Sequence, residues 1–225
     1  MPRPRWIGLV EALSVIVFGL LFGALFIRFT RNLSLETHWP VLAAGAALGV
    51  LMADFLSGFV HWFCDTFFEE NSTLGRIWIA PFREHHRNPL ALTRHGFLEK
   101  NGNNCLVALG PLVWAWVRGW PGGSGGWGLW AMSTLLFLTA SVAVTNQIHC
   151  WAHTPRVPRP VRCMQRCYLI LSPRLHERHH ATGDAAYCVT FGWLNTILDR
   201  ARFFKACEWV LSKSGVPRAA ESLPG

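Results

Sequence analysis

Three predominantly apolar stretches restrict this chain to one class of fold. Residues 7–27, 39–60 and 127–148 run for 21, 22 and 22 residues. A helix rises about 1.5 Å per residue, so each can cross the ~30 Å hydrocarbon layer of a bilayer. The first is too long for a typical signal-peptide core and shows no small-residue cleavage site, so it reads as a retained helix. A fourth stretch, residues 105–117, is 13 residues long and contains Pro111. It reads as a short, tilted or partly buried helix. The run Pro121-Gly122-Gly123-Ser124-Gly125-Gly126 is a turn signal that pairs it with residues 127–148 as a hairpin. Four spans put both termini on one side of the membrane. Of 21 Lys and Arg, only Arg28, Arg31 and Arg118 fall in the two far-side connections. Positive charge collects on the cytoplasmic side, so the termini and residues 61–104 are expected there. The expected fold is an all-α membrane protein of about four transmembrane helices with a cytoplasmic, histidine-rich helical cap.

The net charge of +8 fits that topology and contact with anionic head groups. Charge alone also suits nucleic acid, but a multi-span chain argues against it. Seven cysteines show no Cys-x-x-Cys spacing, and most face a reducing compartment, so disulfides and a zinc–thiolate site are not expected.

The chemistry is carried by histidine. His176, His179 and His180 stand at i, i+3 and i+4, one face of a helix. His149 and His153 are i and i+4 at the end of the last long stretch, which Thr154-Pro155 terminates. His85 and His86 are adjacent, so on a helix they diverge by about 100° and can serve different centres. His95 follows nearby, and His61 lies on the second stretch. Neutral imidazole is a common ligand for transition metals. Nine histidines exceed the four ligands that one zinc takes, and a haem needs only one or two. Ordinary satisfied polar side chains are the bland alternative. A polyhistidine site for two metals is the expectation, with His61, His85, His86, His95, His149, His153, His176, His179 and His180 as ligands. His38 falls on the far side and is excluded.

Other polar residues suggest supporting roles. Asp54, Gly58, His61 and Asp65 form one helical stripe. Asp54 and Asp65 are expected to accept the second imidazole proton and orient His61; for Asp54 a helix–helix hydrogen bond is an equal alternative. Glu84 beside His85 is a similar candidate. Asn146 shares a face with His149 and suits either a water near the metal or helix packing. Glu11 is expected to snorkel to the interface. Residues 156–171 read as an interfacial amphipathic helix whose Arg156, Arg159, Arg162 and Arg166 anchor to lipid or grip a phosphate. Residues 186–198 are apolar but too short to span, so they are expected to pack over the metal site or dip into the bilayer.

Longer motifs carry a resemblance. Ala53-Asp54-Phe55…Gly58…Val60-His61-Trp62…Asp65-Thr66 and the segment from Pro81 through Glu84-His85-His86 to Pro89 come first. Thr93-Arg94-His95, Glu99…Asn101-Gly102…Asn104-Cys105 and Thr145-Asn146-Gln147-Ile148-His149…Trp151…His153-Thr154 follow. His176…His179-His180 and Gly192-Trp193-Leu194-Asn195 complete the set. Together they resemble the Kua-type lipid desaturase family, which includes plasmanylethanolamine desaturase and its bacterial relatives. Gly96, Asn103, Leu175 and Glu177 depart from the animal pattern without removing a histidine.

The resemblance implies a lipid desaturase domain over residues 39–205. It is preceded by residues 1–38, a transmembrane helix and far-side loop, and followed by a tail, residues 206–225. It implies two non-haem iron ions as cofactor. It implies O2-dependent conversion of the 1-O-alkyl chain of an ether phospholipid to a vinyl ether, as in plasmalogen formation. Electrons would come from a donor such as cytochrome b5 or ferredoxin. The expected location is the bacterial inner membrane, or the endoplasmic reticulum in a eukaryote. Two alternatives stand beside it: an acyl-lipid desaturase acting on a phospholipid fatty acyl chain, and a non-enzymatic membrane metal-binding or signalling protein.

Overall fold

The computed structural model describes residues 5–31, 33–70, 75–120, 125–216 and 218–219. The Pro121–Ser124 part of the expected turn, and residue 217 and residues 220–225 of the tail, lie outside that set. The described chain is helical: α1 (Arg5–Thr30), α2 (Leu35–Thr66), a π-helical turn (Gly75–Ile79), α3 (Ala80–Arg87), α4 (Ala91–Arg94), α5 (Phe97–Val117), α6 (Gly126–His153), α7 (Arg159–Arg166), α8 (Pro173–Thr182), α9 (Asn195–Arg200) and α10 (Phe203–Lys213). Among the described residues the only β-pairing is an isolated bridge, Phe67 to Arg218. Three helices, α1, α2 and α6, are long and apolar enough to cross a membrane. The fourth expected stretch belongs to α5, which is 21 residues long and starts eight residues earlier than its apolar part.

The chain divides into two compact units. The first holds residues up to Ala53 and from His95 to Gln147; the second holds Asp54–Arg94 and everything from Ile148 onward.

In the first unit Leu25, Phe29, Leu112, Ala115, Leu129, Met132 and Leu136 form the core. Lipid is as apolar as these side chains, so burial alone does not draw helices together in a bilayer. Close backbone approach and interhelical hydrogen bonds do it instead. Gly45 and Gly49 of α2 are four apart, and a Cβ at either would lie 2.4 Å from a carbonyl of α6, Trp130 O or Thr134 O. Ser133 Oγ of α6 donates to Leu42 O at 2.8 Å. The polar run ahead of the apolar part of α5 forms its first turns, and its amides bind α6. Asn104 Nδ2 donates to Val142 O at 2.9 Å, and Asn101 Oδ1 accepts from the Gln147 N–H at 3.1 Å. Gly102 lets α1 approach so closely that a Cβ there would fall 2.4 Å from Cβ of Glu11. Glu11 is consequently buried, at 2% exposure; the expected snorkelling is overturned because α5 covers its side chain.

In the second unit two clusters form the core. Ile148, Ala152, Val161, Ile170, Leu171 and Val189 make one. Trp62, Phe67, Tyr187 and Phe204 make the other. The expected helix over residues 156–171 is shorter: α7 stops at Arg166, and Tyr168 takes a left-handed φ of 55°. Residues 184–194 run as an ordered loop with buried Ala186–Thr190. Asp54 holds that loop. Its Oδ1 accepts the Phe191 and Gly192 N–H groups, both at 2.8 Å, and its Oδ2 accepts Leu194 N–H at 3.0 Å. Gly192 has φ +76°, which a side chain would strain. Asn195 reaches back to Cys188, accepting its N–H at 2.8 Å and donating to its carbonyl at 3.0 Å. Gly58 on α2 gives Cys188 room, since a Cβ there would sit 2.5 Å from the sulfur.

Gly49→Val should disturb the first unit. The Cβ meets backbone rather than a flexible side chain, so the helices must part, at a cost of about 1–3 kcal/mol. Thermal unfolding in detergent should show a midpoint several degrees below that of the parent protein.

Candidate metal centre

Four helices of the second unit bring histidines together. His61 and Asp65 sit on the last turns of α2, and His149 and His153 on the last turns of α6. α3 begins at a proline and carries His85 and His86. α8 carries His176, His179 and His180. Its ends are fixed by the Ser172 hydroxyl, which accepts Leu175 N–H, and by Gly183 in the left-handed conformation.

The side chains meet in two groups. His61, His85, His86 and His179 form one; His85, His153, His176 and His180 form the other, with donor atoms in each group within 4.8 Å of one another. His85 belongs to both. His149 joins the second group, its Nε2 lying 2.8 Å from His176 Nε2 and 3.3 Å from His153 Nε2. Eight of the nine histidines singled out in the sequence therefore converge.

The electrostatics of this cluster fit bound cations. A neutral imidazole has one N–H and one lone pair. His176 Nε2 lies within 3.1 Å of the Nε2 atoms of His149, His153 and His180. Buried Nε2 atoms of His61 and His85 have no hydrogen-bond partner. Burial, reinforced by neighbouring imidazoles, pushes His85 and His176 well below the ordinary histidine value. His180 is pushed down to about 3, again chiefly by burial. The lone pairs are thus free near neutral pH. Asp65 is buried among them. Its Oδ2 lies 3.1 Å from His86 Nε2, 3.3 Å from His61 Nε2 and 3.6 Å from His179 Nε2. The contact to His61 is close enough for attraction but not aligned as a hydrogen bond, which leaves that Nε2 unsatisfied. Every ionic contact of Asp65 among the described residues is to a histidine. A buried carboxylate with only imidazoles beside it is costly unless a cation joins it. Nitrogen donors with one carboxylate suit a transition metal.

The rings are oriented from behind. His61 Nδ1 faces Tyr187 O at 3.1 Å, and His179 Nδ1 faces Ala185 O at 2.7 Å. A carbonyl can only accept, so each Nδ1 carries the proton and each Nε2 presents its lone pair. Between these two carbonyls Ala186 takes a left-handed φ of 59°, a conformation that costs an L-residue about 1 kcal/mol or more. The strained turn aims both carbonyls at the histidines. The expectation that residues 186–198 pack over the site agrees with this.

Several residues are placed differently from their expected roles. Asp54 binds the loop backbone rather than an imidazole. Asp65 faces the same Nε2 atoms as the metal would, not the second proton of His61. Glu84 is exposed on the outer face of α3. His95 lies in neither group; its Nδ1 is 3.0 Å from Glu99, and its side chain is 46% exposed. Asn146 donates to Lys100 O at 2.7 Å and to Asn104 Oδ1 at 3.3 Å, so it joins helices α5 and α6.

Arg83 carries no signal of its own in the sequence and proves central. Its buried guanidinium donates to Cys64 O at 3.2 Å, Phe67 O at 2.9 Å and Phe68 O at 2.8 Å. These carbonyls close the C-terminus of α2, where the helix dipole favours a cation. One side chain thus locks α3, with His85 and His86, to the end of α2, with His61 and Asp65.

Arg83→Ala should leave those carbonyls unpaired and lower bound metal to well under half per chain. Arg83→Lys should do nearly as badly, because an ammonium lacks the planar fork. Metal analysis of purified protein checks both. Acid should act separately. Histidines held neutral in the fold protonate more easily once unfolded, so the unfolded state binds more protons below pH ~6.5. Stability should therefore be full above that pH and fall as pH drops through the interval down to about 3, the value for His180. A fluorescence unfolding series between pH 8 and 4 tests the direction; constant stability would contradict it.

Comparison with known proteins agrees with this geometry. The lipid desaturase domain matches residues 50–220. A plasmanylethanolamine desaturase of Myxococcus xanthus is 42% identical over 176 residues, covering 77% of this chain and 61% of the relative. Plasmanylethanolamine desaturase 1 of Mus musculus is 37% identical over 209 residues, covering 91% of this chain and 74% of the relative. The chloroplastic fatty acid desaturase 4 of Arabidopsis thaliana is 31% identical over 191 residues, covering 81% of this chain and 54% of the relative. The chain spans about three-fifths of the length of the Myxococcus relative and three-quarters of the mouse one. No solved structure matches it. A domain match across residues 50–220, over the residues that assemble the histidine cluster, makes this chain a member of the lipid desaturase family.

Proposed function

We propose that the protein is a membrane-embedded, O2-dependent lipid desaturase holding two non-haem iron ions. Its substrate is an ether phospholipid, plasmanylethanolamine, and it converts the 1-O-alkyl chain to a vinyl ether. The observation that carries the reading is the pair of overlapping, buried histidine groups sharing His85. Two irons, when bound, supply the power to activate O2 and remove hydrogen from an unactivated carbon, which no side chain has.

The chain's own groups divide the work. His61, His86 and His179 would hold one ion with Asp65 beside them; His149, His153, His176 and His180 would hold the other. His85 lies within reach of both. The carbonyls of Ala185 and Tyr187 keep the imidazoles in the ligating tautomer. Phe82 packs against His61, with ring centroids 5.8 Å apart, and helps to keep water from that side. His61, His149 and His153 all lie near the C-terminal ends of membrane-length helices. The site therefore lies at head-group depth, the depth of the ether oxygen and the carbon beside it. Two hydrogens leave the chain, and with O2, two electrons and two protons they give two waters. The electrons come from a cytochrome-b5-like or ferredoxin-like donor. The Lys and Arg bias supports a cytoplasmic face, beneath a bacterial inner membrane or on the endoplasmic reticulum. The relatives named plasmanylethanolamine desaturase are the more similar of those compared, at 42% and 37% identity against 31% for fatty acid desaturase 4. That order favours the ether substrate over an acyl chain.

Cells without endogenous vinyl ethers, expressing the protein and fed an alkylglycerol, should accumulate acid-labile vinyl-ether phospholipid. His149→Ala and His179→Ala should each cut the product at least a hundredfold while the protein stays in the membrane. A new acyl double bond without vinyl ether would replace this reading with the acyl-desaturase one. Metal binding with no change in any lipid would leave a metal-binding protein.

A further inference from the structure

The second unit contains a cavity of about 500 Å³ that the histidine cluster does not use. Arg162 and Arg166 of α7, four residues apart and so on one face, line one side of it. Arg174, in the first turn of α8, lines another, with Gln165, Tyr168 and Ser172 between them. We propose that Arg162, Arg166 and Arg174 bind the phosphodiester of the phospholipid whose chain is oxidised. This deepens the desaturase reading and rests on it for the identity of the lipid.

Charge is the first reason. Three other arginines of this unit pair with acids: Arg178 lies 3.2 Å from Asp199, Arg87 lies 2.9 Å from Glu70, and Arg218 pairs with Glu208. None of the three cavity arginines has an acidic partner among the described residues. All three are exposed, so a phosphate entering the cavity meets positive charge from two helices. A phosphate matches guanidinium forks with paired, charge-assisted hydrogen bonds.

Position is the second. Gln165 is buried, and its Nε2 donates to Trp151 O at 3.2 Å. That bond pins α7 to the stretch of α6 between His149 and His153. Arg174 precedes His176 by two residues, a rise of only about 3 Å along α8. The cavity and the metal ligands therefore share two rigid supports.

The rim is the third. Tyr168, Leu169 and Trp193 are exposed, and Trp193 Nε1 donates to Tyr168 O at 2.6 Å. Aromatic side chains with a polar edge, beside exposed aliphatic ones, belong at the membrane–water interface. The ligand that offers a phosphate at that depth is a phospholipid rather than a free anion. Holding its phosphate fixes the glycerol, and through the glycerol the position of the ether carbon relative to the metals. The arginines would thus decide which carbons of the chain are presented for oxidation.

Equilibrium binding to the purified full-length protein, metal-loaded and metal-stripped, tests this. The probes are a labelled 1-O-alkyl-2-acyl-glycerophosphoethanolamine, the same lipid without its phosphate, and inorganic phosphate. The parent protein should bind the phospholipid at least tenfold more tightly than the phosphate-free lipid, with or without metal. Arg162→Gln, Arg166→Gln and Arg174→Gln should each weaken phospholipid binding about tenfold and spare the phosphate-free lipid. Arg→Lys at each should fall between. Arg200→Gln and Lys213→Gln, outside the cavity, should keep parental affinity. Unchanged phospholipid affinity in all three Gln variants would overturn the proposal, as would an equal loss for both lipids. Inorganic phosphate binding as tightly as the phospholipid would assign the cavity to a free anion. If vinyl ether never forms yet phospholipid binding depends on the three arginines, the desaturase reading fails and the phosphate site stands.

Discussion

A buried carboxylate with no cation of the chain's own beside it is the constraint from which the rest of this molecule follows. Asp65 sits among His61, His86 and His179, and burial keeps neighbouring His85 and His176 neutral. In water this arrangement would be harmless. In a site from which water is excluded, an isolated carboxylate costs several kcal/mol, and so does each unsatisfied ring nitrogen. The fold tolerates them because a bound metal ion would satisfy the acid and the lone pairs together. Metal binding would then be part of the folding free energy of the second unit, not a later addition.

Such a site needs rigid walls, since imidazoles free to turn would hydrogen-bond to each other. The walls are largely backbone. Arg83 gathers the carbonyls at the end of α2. The loop after α8 turns its Ala185 and Tyr187 carbonyls inward. That loop in turn hangs from Asp54, through three backbone N–H groups, and from Asn195. The strain at Ala186 persists because these bonds over-determine the loop. Side chains seven and eleven residues apart on α2, Asp54, His61 and Asp65, thus hold scaffold, ligand cluster and charge in one register.

How much of this is legible in the sequence depends on range. The membrane-length helices and the i, i+3, i+4 spacing of His176, His179 and His180 are local patterns, and they appear as read. Ser172 and Gly183 bound α8 as ordinary caps. Asp54 was open to two readings because helical spacing tells which face it shares with His61, not which distant segment approaches that face. Glu84 and His95 stand close to true members of the cluster, but proximity in sequence did not survive folding: α3 turns Glu84 outward, and His95 pairs with Glu99 one turn into α5. The amide at position 146 was open to a water near the metal or to helix packing, and those at 101 and 104 entered only as motif residues. They prove to be interhelical hydrogen bonds, the alternative use of a polar group where hydrophobic burial gives helices no reason to associate. Arg83 and the two carbonyls could not be found at all, since a backbone acceptor leaves no mark on residue identity and a single arginine in a basic chain has no pattern.

Depth ties these pieces to chemistry. A desaturase acting beside an ether oxygen must work at the level of the head groups, where a helix end is more useful than a helix middle. Ligands at the C-terminal ends of α2 and α6 meet that requirement, and it explains why both helices outlast their apolar stretches: α2 continues to Thr66 and α6 to His153. The helix dipole would add to it, since two C-termini present partial negative charge toward the histidine cluster. Arg83 offsets part of that charge at α2. The same depth suits guanidiniums that sit among exposed aromatic residues, because head-group phosphate and ether carbon are separated by only a glycerol. An enzyme built on spans alone could admit any alkyl chain. One in which metal ligands and phosphate-binding arginines share α8, as proposed, would measure the chain from its charged end.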